Sequence, residues 1–295
     1  MTDYSNGGER VVPTRANYVF YAHLSLYQLA VAHLPANARV LDAGCGTGFG
    51  AHLLREKGAA EVIGVDGSEV AIEFCREHFQ RDGVSFMVAD LGEPLPFESA
   101  SFDFIFSSNT MEHIAATDTH LGECRRLLRP KGRLFAAMPA ITNRSALEQN
   151  IRNIFHVTNL TPKGWGAKIS RYFDHVVAFR HWEKGEEGGW PAICAKMSEP
   201  PDPTTRKETN FFLEEMSLDA LNEHADVLNA VFVASQPRAA ELSPRLEEHI
   251  PQNWAEGAIQ ARVRAEETAA LRDEIDRLTA LLAARSETAD AWAKR

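Results

Sequence analysis

The chain has 295 residues, 44% of them apolar, and a formal net charge of −10. That is enough for one large domain, or one domain with an appendage, and for a sizeable core. The acidic balance argues against broad binding to nucleic acid or to an anionic membrane, because both need clustered Lys and Arg.

The first stretch, "MTDYSNGGERVVP", has neither an apolar core nor a basic leader, so no signal peptide is expected. Residues 1–35 are expected to form a lid or helix ahead of the first strand. From Ala36 strands and helices alternate. "RVLDAG" predicts a strand with a turn, "FGAHLLREKG" a short helix ending at Gly58, and "EVIGVDG" a second strand. "SEVAIEFCREHFQRDG" predicts a helix capped by Ser68 and stopped near Gly83. "VSFMVAD" and "FDFIFSSN" are the third and fourth strands. "DTHLGECRRLLRPKG" is a helix stopped by Pro130 and Gly132, and "RLFAAMP" is the fifth strand. Strands separated by single helices predict parallel pairing through right-handed crossovers.

After Pro139 the pattern loosens. Residues 140–160 form an insertion of no clear type. "TPKGWGAKISRYF" predicts a helix with Thr161 as N-cap and Pro162 in the first turn. "DHVVAFRHWEKGEEGGWPAICAKMSE" predicts two antiparallel strands around a Gly-rich turn. "PPDPTTRKE" is a linker, and residues 199–240 are expected to be a helical extension. The tail, 241–295, places Thr268, Leu271, Ile275, Leu278, Leu282, Arg285, Ala289 and Trp292 on alternating three and four spacing. That is either a coiled-coil seam for a homodimer or partner enzyme, or a lone amphipathic helix docked on its own domain.

The stretch Val40–Gly50, "VLDAGCGTGFG", sits on the turn between the first strand and its helix. That is the sheet edge where open α/β folds bind ligands. The frame Gly46-Gly48-Ala51 fits a dinucleotide fingerprint, so the glycines alone decide little. Asp42 ahead of them is repulsive toward a diphosphate and acceptable toward a cationic amino-acid ligand. No GxxxxGK[ST] phosphate loop occurs. Cys45 reads as a small pocket-lining residue, not a nucleophile, because no basic residue adjoins it. It and Cys75, Cys124 and Cys194 form no CxxC pair, which fits a reduced, cytoplasmic protein with no zinc site or disulfide frame.

Taken together these motifs resemble those of the class I S-adenosylmethionine-dependent methyltransferases. "VLDAGCGTGFG" resembles that family's first motif, "VIGVDGS" its second and "VADL" its third. "LPFESASFDFIFSSNTMEHI" and "ECRRLLRPKGRLFAAMP" are similar to its fourth and fifth regions. The resemblance covers roughly residues 9 to 198. It implies a Rossmann-like α/β fold of seven strands in the order 3-2-1-4-5-7-6. Strand 7 would be antiparallel and would be "AICAKMS", giving a domain over 36–198. It implies S-adenosyl-L-methionine as cofactor. Asp42, Gly44, Cys45, Gly46, Asp66, Gly67, Asp90, Leu91 and Ser107 would bind it, with Asp66 on the ribose hydroxyls and Asp90 and Leu91 on the adenine. Asp66 and Asp90 can equally be local caps.

The reaction would be an in-line methyl transfer, and an acceptor hydroxyl must lose a proton. Glu112 and His113 at the fourth strand end are the first candidates, since imidazole titrates near neutrality; His113 can also be a packing residue. The segment before the first strand resembles the lid of bacterial methyltransferases found with surface-polysaccharide enzymes, through Glu9, Arg10, Pro13, His23 and Tyr27. It departs from them in "YAHLSLY". His23 is the second catalytic candidate. His156 reads as a loop residue or a pocket wall. His113, Asp118 and His120 lack a ligand spacing, so no metal is expected. The expected acceptor is a small molecule or glycan, methylated at oxygen, with no nucleic acid and no membrane span. Two rivals remain: an NAD-dependent reductase or epimerase, although no Tyr-x-x-x-Lys pair occurs, and a non-catalytic adenosyl-binding scaffold.

Overall fold

The computed structural model describes residues 18–183, 211–224 and 226–237. Helix α1 (Tyr18–Ala30) precedes β1 (Arg39–Ala43), α2 (Phe49–Glu56), β2 (Glu61–Asp66), α3 (Glu69–Phe79), β3 (Val84–Val88) and β4 (Phe102–Ser108). Then come α4 (Thr117–Leu127), β5 (Leu128–Pro139), α5 (Arg144–Arg152), α6 (Pro162–Ile169) and β6 (Phe173–Glu183). The order closes with β7 (Phe211–Met216), α7 (Leu218–Glu223) and β8 (Asn229–Pro237). Ser68 and Thr161 cap α3 and α6 as their sequences predict, accepting from Ala71 N at 3.3 Å and Gly164 N at 3.2 Å.

The strands form one sheet in the order β3-β2-β1-β4-β5-β8-β6-β7. The first five pair in parallel, and β8 runs antiparallel to both β5 and β6. Alternation along each strand divides the core into two layers. Val40, Val62, Phe104, Phe106 and Phe135 pack with Leu26 and Tyr27 of α1, Leu54 of α2 and Ile72 of α3. Leu41, Ile63, Ile105 and Leu134 pack on the other face with Leu121 and Leu127 of α4, Trp165 of α6 and Leu221 of α7. Helices on both faces of a mostly parallel sheet are why these strands read as unbroken apolar runs.

Two expectations are corrected here. The described sheet has eight strands, not seven, and its inserted antiparallel strand is β8. The segment expected to play that part, 192–198, lies outside the described residues, as does the predicted tail. Of the stretch expected to be a helical extension, the described residues form β7, the short helix α7 and β8, so the sheet runs on to Pro237. The reason is local. In "NAVFVAS" Val231 faces one core layer and Phe232 the other, so both faces are buried and a helical period cannot be told from a strand. At the edge, Arg180 and Glu214 stand opposite each other on β6 and β7 and pair at 2.6 Å.

One buried group ties α1 to the sheet. His181 on β6 is fully buried. Ser25 Oγ donates to Ala22 O at 2.7 Å, so it accepts from His181 Nε2 at 2.9 Å; Asn229 Nδ2 then donates to Nδ1 at 3.1 Å. A second proton on Nδ1 would face a donor. Burial, with nearby His23 adding to it, lowers this imidazole to about 3 from an ordinary 6.5. Burial likewise lowers His120 to about 4. Both histidines take up protons in the unfolded chain before they do so in the folded one. Stability is therefore complete above the ordinary value and is lost as pH falls through it toward the folded one. Each contributes a slope of about 1.4 kcal/mol per pH unit. His181→Gln should remove one such contribution, so urea unfolding at pH 6.5 and 4.5 should show a shallower loss than in the parent chain.

Candidate active site

β1 pairs with β2 on one side and β4 on the other, and the crossovers leave it in opposite directions. A crevice opens at such a switch point, beyond the carboxyl ends of the strands. The chain after β1 turns sharply there. Gly44 N and Cys45 N both donate to Val65 O, at 2.8 and 3.0 Å, and Gly46 N donates to Asp66 Oδ2 at 3.0 Å. Gly46 has φ +54°, and a Cβ placed on it would meet nothing within 4 Å. Bare backbone against open space is what lets a bulky ligand lie on the chain.

Two of the expected carboxylates stand at and beyond the ends of the neighbouring strands, and Asp66 is bonded to the turn. Asp66, at the end of β2, takes Gly46 N–H on one oxygen and Ser68 N–H on the other at 2.9 Å. It is thus a cap, yet each carboxylate oxygen can accept more than one bond. Gly67 follows it. Asp90, after β3, is exposed and accepts from Gly92 N at 2.8 Å, while Leu91 beside it is buried. Ser107, on β4, is buried, and its Oγ has no partner among the described residues.

Asp42 is completely buried, and Tyr27 of α1 donates to both its oxygens at 3.1 and 3.2 Å. Burial pushes this carboxyl up to about 7, with the Tyr27 bond pulling the other way. A cationic group brought to this end of the sheet would favour its ionised form. Burial also raises the Cys45 thiol well above its ordinary value, with Cys75, Asp42 and Asp66 adding to it. Such a thiol stays protonated, which argues against a nucleophilic role for Cys45.

Beyond β4 the chain makes a tight turn, Met111–His113. Glu112 is buried. Thr158 straps the following loop onto this turn, its N–H donating to Glu112 O at 2.9 Å and its hydroxyl to Ile114 O at 2.8 Å. His113 is half-buried and Nδ1 lies 3.0 Å from Phe155 O. A carbonyl only accepts, so Nδ1 carries a proton. Nε2 lies 3.9 Å from Glu112 Oε1. The ring of His156 stands edge-on to His113, centroids 4.8 Å apart. The fold thus joins Glu112 and His113 with His156, which the sequence alone leaves in a loop. His23 stands instead on α1 near His181. Asp118 is engaged by Lys168, Arg171 and the Tyr172 hydroxyl at 3.1, 2.9 and 2.7 Å, and His120 Nδ1 by Leu91 O at 3.2 Å.

Residues 41–136 match the family model described as a methyltransferase domain. Over those residues the match supports a class I S-adenosylmethionine-dependent methyltransferase domain. A Mycolicibacterium smegmatis protein named as a probable S-adenosylmethionine-dependent methyltransferase is 36% identical over 155 residues, covering 52% of this chain and 58% of that one. The ubiquinone biosynthesis O-methyltransferase of Agrobacterium fabrum is 38% identical over 108 residues, covering 36% of this chain and 43% of its own. The chain thus spans about half the length of the curated relatives it matches. A solved S-adenosylmethionine-dependent methyltransferase from Archaeoglobus fulgidus superposes with a TM-score of 0.52 at 22% identity, over 72% of this chain and 93% of that one, which shows the shared fold. These similarities imply S-adenosyl-L-methionine as cofactor, and the bare Gly46 turn, with Asp66 bonded to it, lies in the region they cover.

Proposed function

We propose that the chain transfers a methyl group from S-adenosyl-L-methionine to an oxygen of a small molecule or glycan. The observation that carries this reading is the pairing of two features at one sheet edge. One is the open Gly46 turn, held by Asp66. The other is the Glu112–His113 turn that ends β4. Asp66, with Asp90 and Leu91, would hold the adenosine, and the buried Asp42 would favour the positive amino-acid end. In the transfer the sulfur–methyl bond breaks as the oxygen–methyl bond forms, the sulfur keeps the electron pair, and the acceptor hydroxyl gives up its proton. His113 is the acceptor for that proton, through Nε2. The similarity to a ubiquinone biosynthesis O-methyltransferase supports oxygen as the reacting atom.

The test is turnover with a panel of phenolic, sugar-nucleotide and lipid-linked glycan hydroxyls, following formation of S-adenosylhomocysteine. Calorimetry with S-adenosylhomocysteine and with NAD separates the reading from a dinucleotide enzyme; binding of NAD alone would overturn it. Binding of the adenosyl ligand with no turnover on any hydroxyl would favour a scaffold.

Asp66→Ala should weaken S-adenosylhomocysteine binding by about 1.5–3 kcal/mol, the range for a hydrogen bond to a charged group. The same change frees the N–H groups of Gly46 and Ser68. Thermal melting without ligand is therefore the companion measurement. A lower melting point with unchanged affinity would leave Asp66 only its capping role.

A further inference from the structure

The Glu112, His113 and His156 side chains converge. One ligand atom from each lies within 4.8 Å of the other two, and Glu112 is buried. What makes this more than proximity is the way both imidazoles are turned. His113 Nδ1–H donates to Phe155 O, which leaves Nε2 facing Glu112. His156 Nδ1 lies 2.8 Å from Asn150 Oδ1. The Asn150 amide cannot be reversed at no cost, because its Nδ2 donates to Ala146 O at 2.9 Å and so fixes Oδ1 toward His156. The proton on His156 is therefore on Nδ1 as well. Each ring is oriented at Nδ1 by a carbonyl oxygen, so Nε2 is the nitrogen through which a neutral ring would ligate. Metal-binding histidines are held in this way, by an outer acceptor that fixes tautomer and ring angle.

We infer that Glu112, His113 and His156 form a binding site for a divalent transition-metal ion of the zinc class. Two imidazoles and one carboxylate are a donor set that zinc accepts with a fourth position left open. Zinc–ligand bonds of about 2.0–2.2 Å require the three donors to draw closer than they stand, by roughly 1 Å. A cation here also meets the charge of a buried carboxylate.

The consequence for catalysis rests on the methyl-transfer reading; the site itself does not. A metal at this turn would take the acceptor oxygen in its open position and acidify the hydroxyl, whose proton then passes to water. His113 would then act as a ligand through Nε2, in place of taking the proton itself.

Cobalt(II) reports such a site by its visible absorption. The metal-stripped full chain, titrated with cobalt chloride, should bind one equivalent. Its d–d bands should indicate four or five ligands without the near-ultraviolet band of a cobalt thiolate, since none of the three proposed ligands is a cysteine. Zinc should displace the cobalt. His156→Ala should lower the affinity at least a hundredfold and Asn150→Ala about tenfold or more. S-adenosylhomocysteine binding, measured on the same samples, should be unchanged, which also shows that the variants fold. No saturable one-to-one cobalt binding by the parent chain would overturn the inference without any variant. So would cobalt affinity unchanged in His156→Ala. Loss of S-adenosylhomocysteine binding by the parent chain strikes the methyl-transfer reading instead and leaves the metal titration to stand or fall alone.

Discussion

His113→Ala should lower turnover by about a hundredfold or more while leaving S-adenosylhomocysteine affinity nearly constant. The ring projects from the turn after β4 with Nε2 3.9 Å from Glu112 Oε1, and on the proposed reading its loss removes the group that handles the acceptor's proton. The cofactor turn is built from other strands and loses no contact. If the imidazole itself takes the proton, the acidic limb of the pH–rate profile should vanish with it, because that limb reports protonation of the base. His156→Ala divides the two routes by which His113 can act. A lone base needs His156 only as a neighbour, and the rate should then fall a few-fold. A shared metal site needs both, and the two variants should then be alike. Unaltered turnover across pH in His113→Ala would move the proton acceptor elsewhere, with His23 the next residue to test.

The sheet from β1 to β5 was legible because its strands carry apolar runs set off by polar helices and turns, although α4 ends at Leu127 and β5 takes in the Pro130–Gly132 stretch expected to close that helix. The cofactor turn was legible because alternate glycines after a strand are rare outside ligand sites. What the sequence obscured has physical causes. β8 is buried on both faces, so its run of Ala, Val and Phe lacks the alternation that marks a strand with one wet face. Its place between β5 and β6 is a pairing across distant segments that no local pattern encodes. His156 is similar. It belongs with His113 only because the strap through Phe155 and Thr158 folds the insertion back onto the turn after β4. Asn150 gave no signal at all, being a polar residue on a short amphipathic helix. Tyr27 was expected to be part of a lid or of a covering helix. It covers the sheet, yet it also reaches the buried carboxylate of the first motif, so the two readings meet in one side chain.

That side chain sets the second large effect. Gly50→Ala should destabilise the fold by about 3–5 kcal/mol, from overpacking and the loss of a hydrogen bond to a buried carboxylate. A Cβ at Gly50 would lie 1.9 Å from Tyr27 Cζ and 2.1 Å from Cε1, so either α2 or the ring must move. The ring has nowhere near to go. It is stacked on Phe106 with centroids 4.0 Å apart, and its hydroxyl holds both oxygens of Asp42. Moving it strips the buried carboxylate of this donor, directly beneath the glycine turn. Tyr27→Leu removes the ring atoms that clash and by itself loses the same hydrogen bond. The double variant should therefore be little worse than Tyr27→Leu alone, and a double-mutant cycle by urea unfolding should return a coupling of about 2 kcal/mol or more. A Gly50→Ala protein within about 1 kcal/mol of the parent would mean that α2 shifts freely against α1. In that event the glycine is there for the turn it follows and not for the tyrosine it touches.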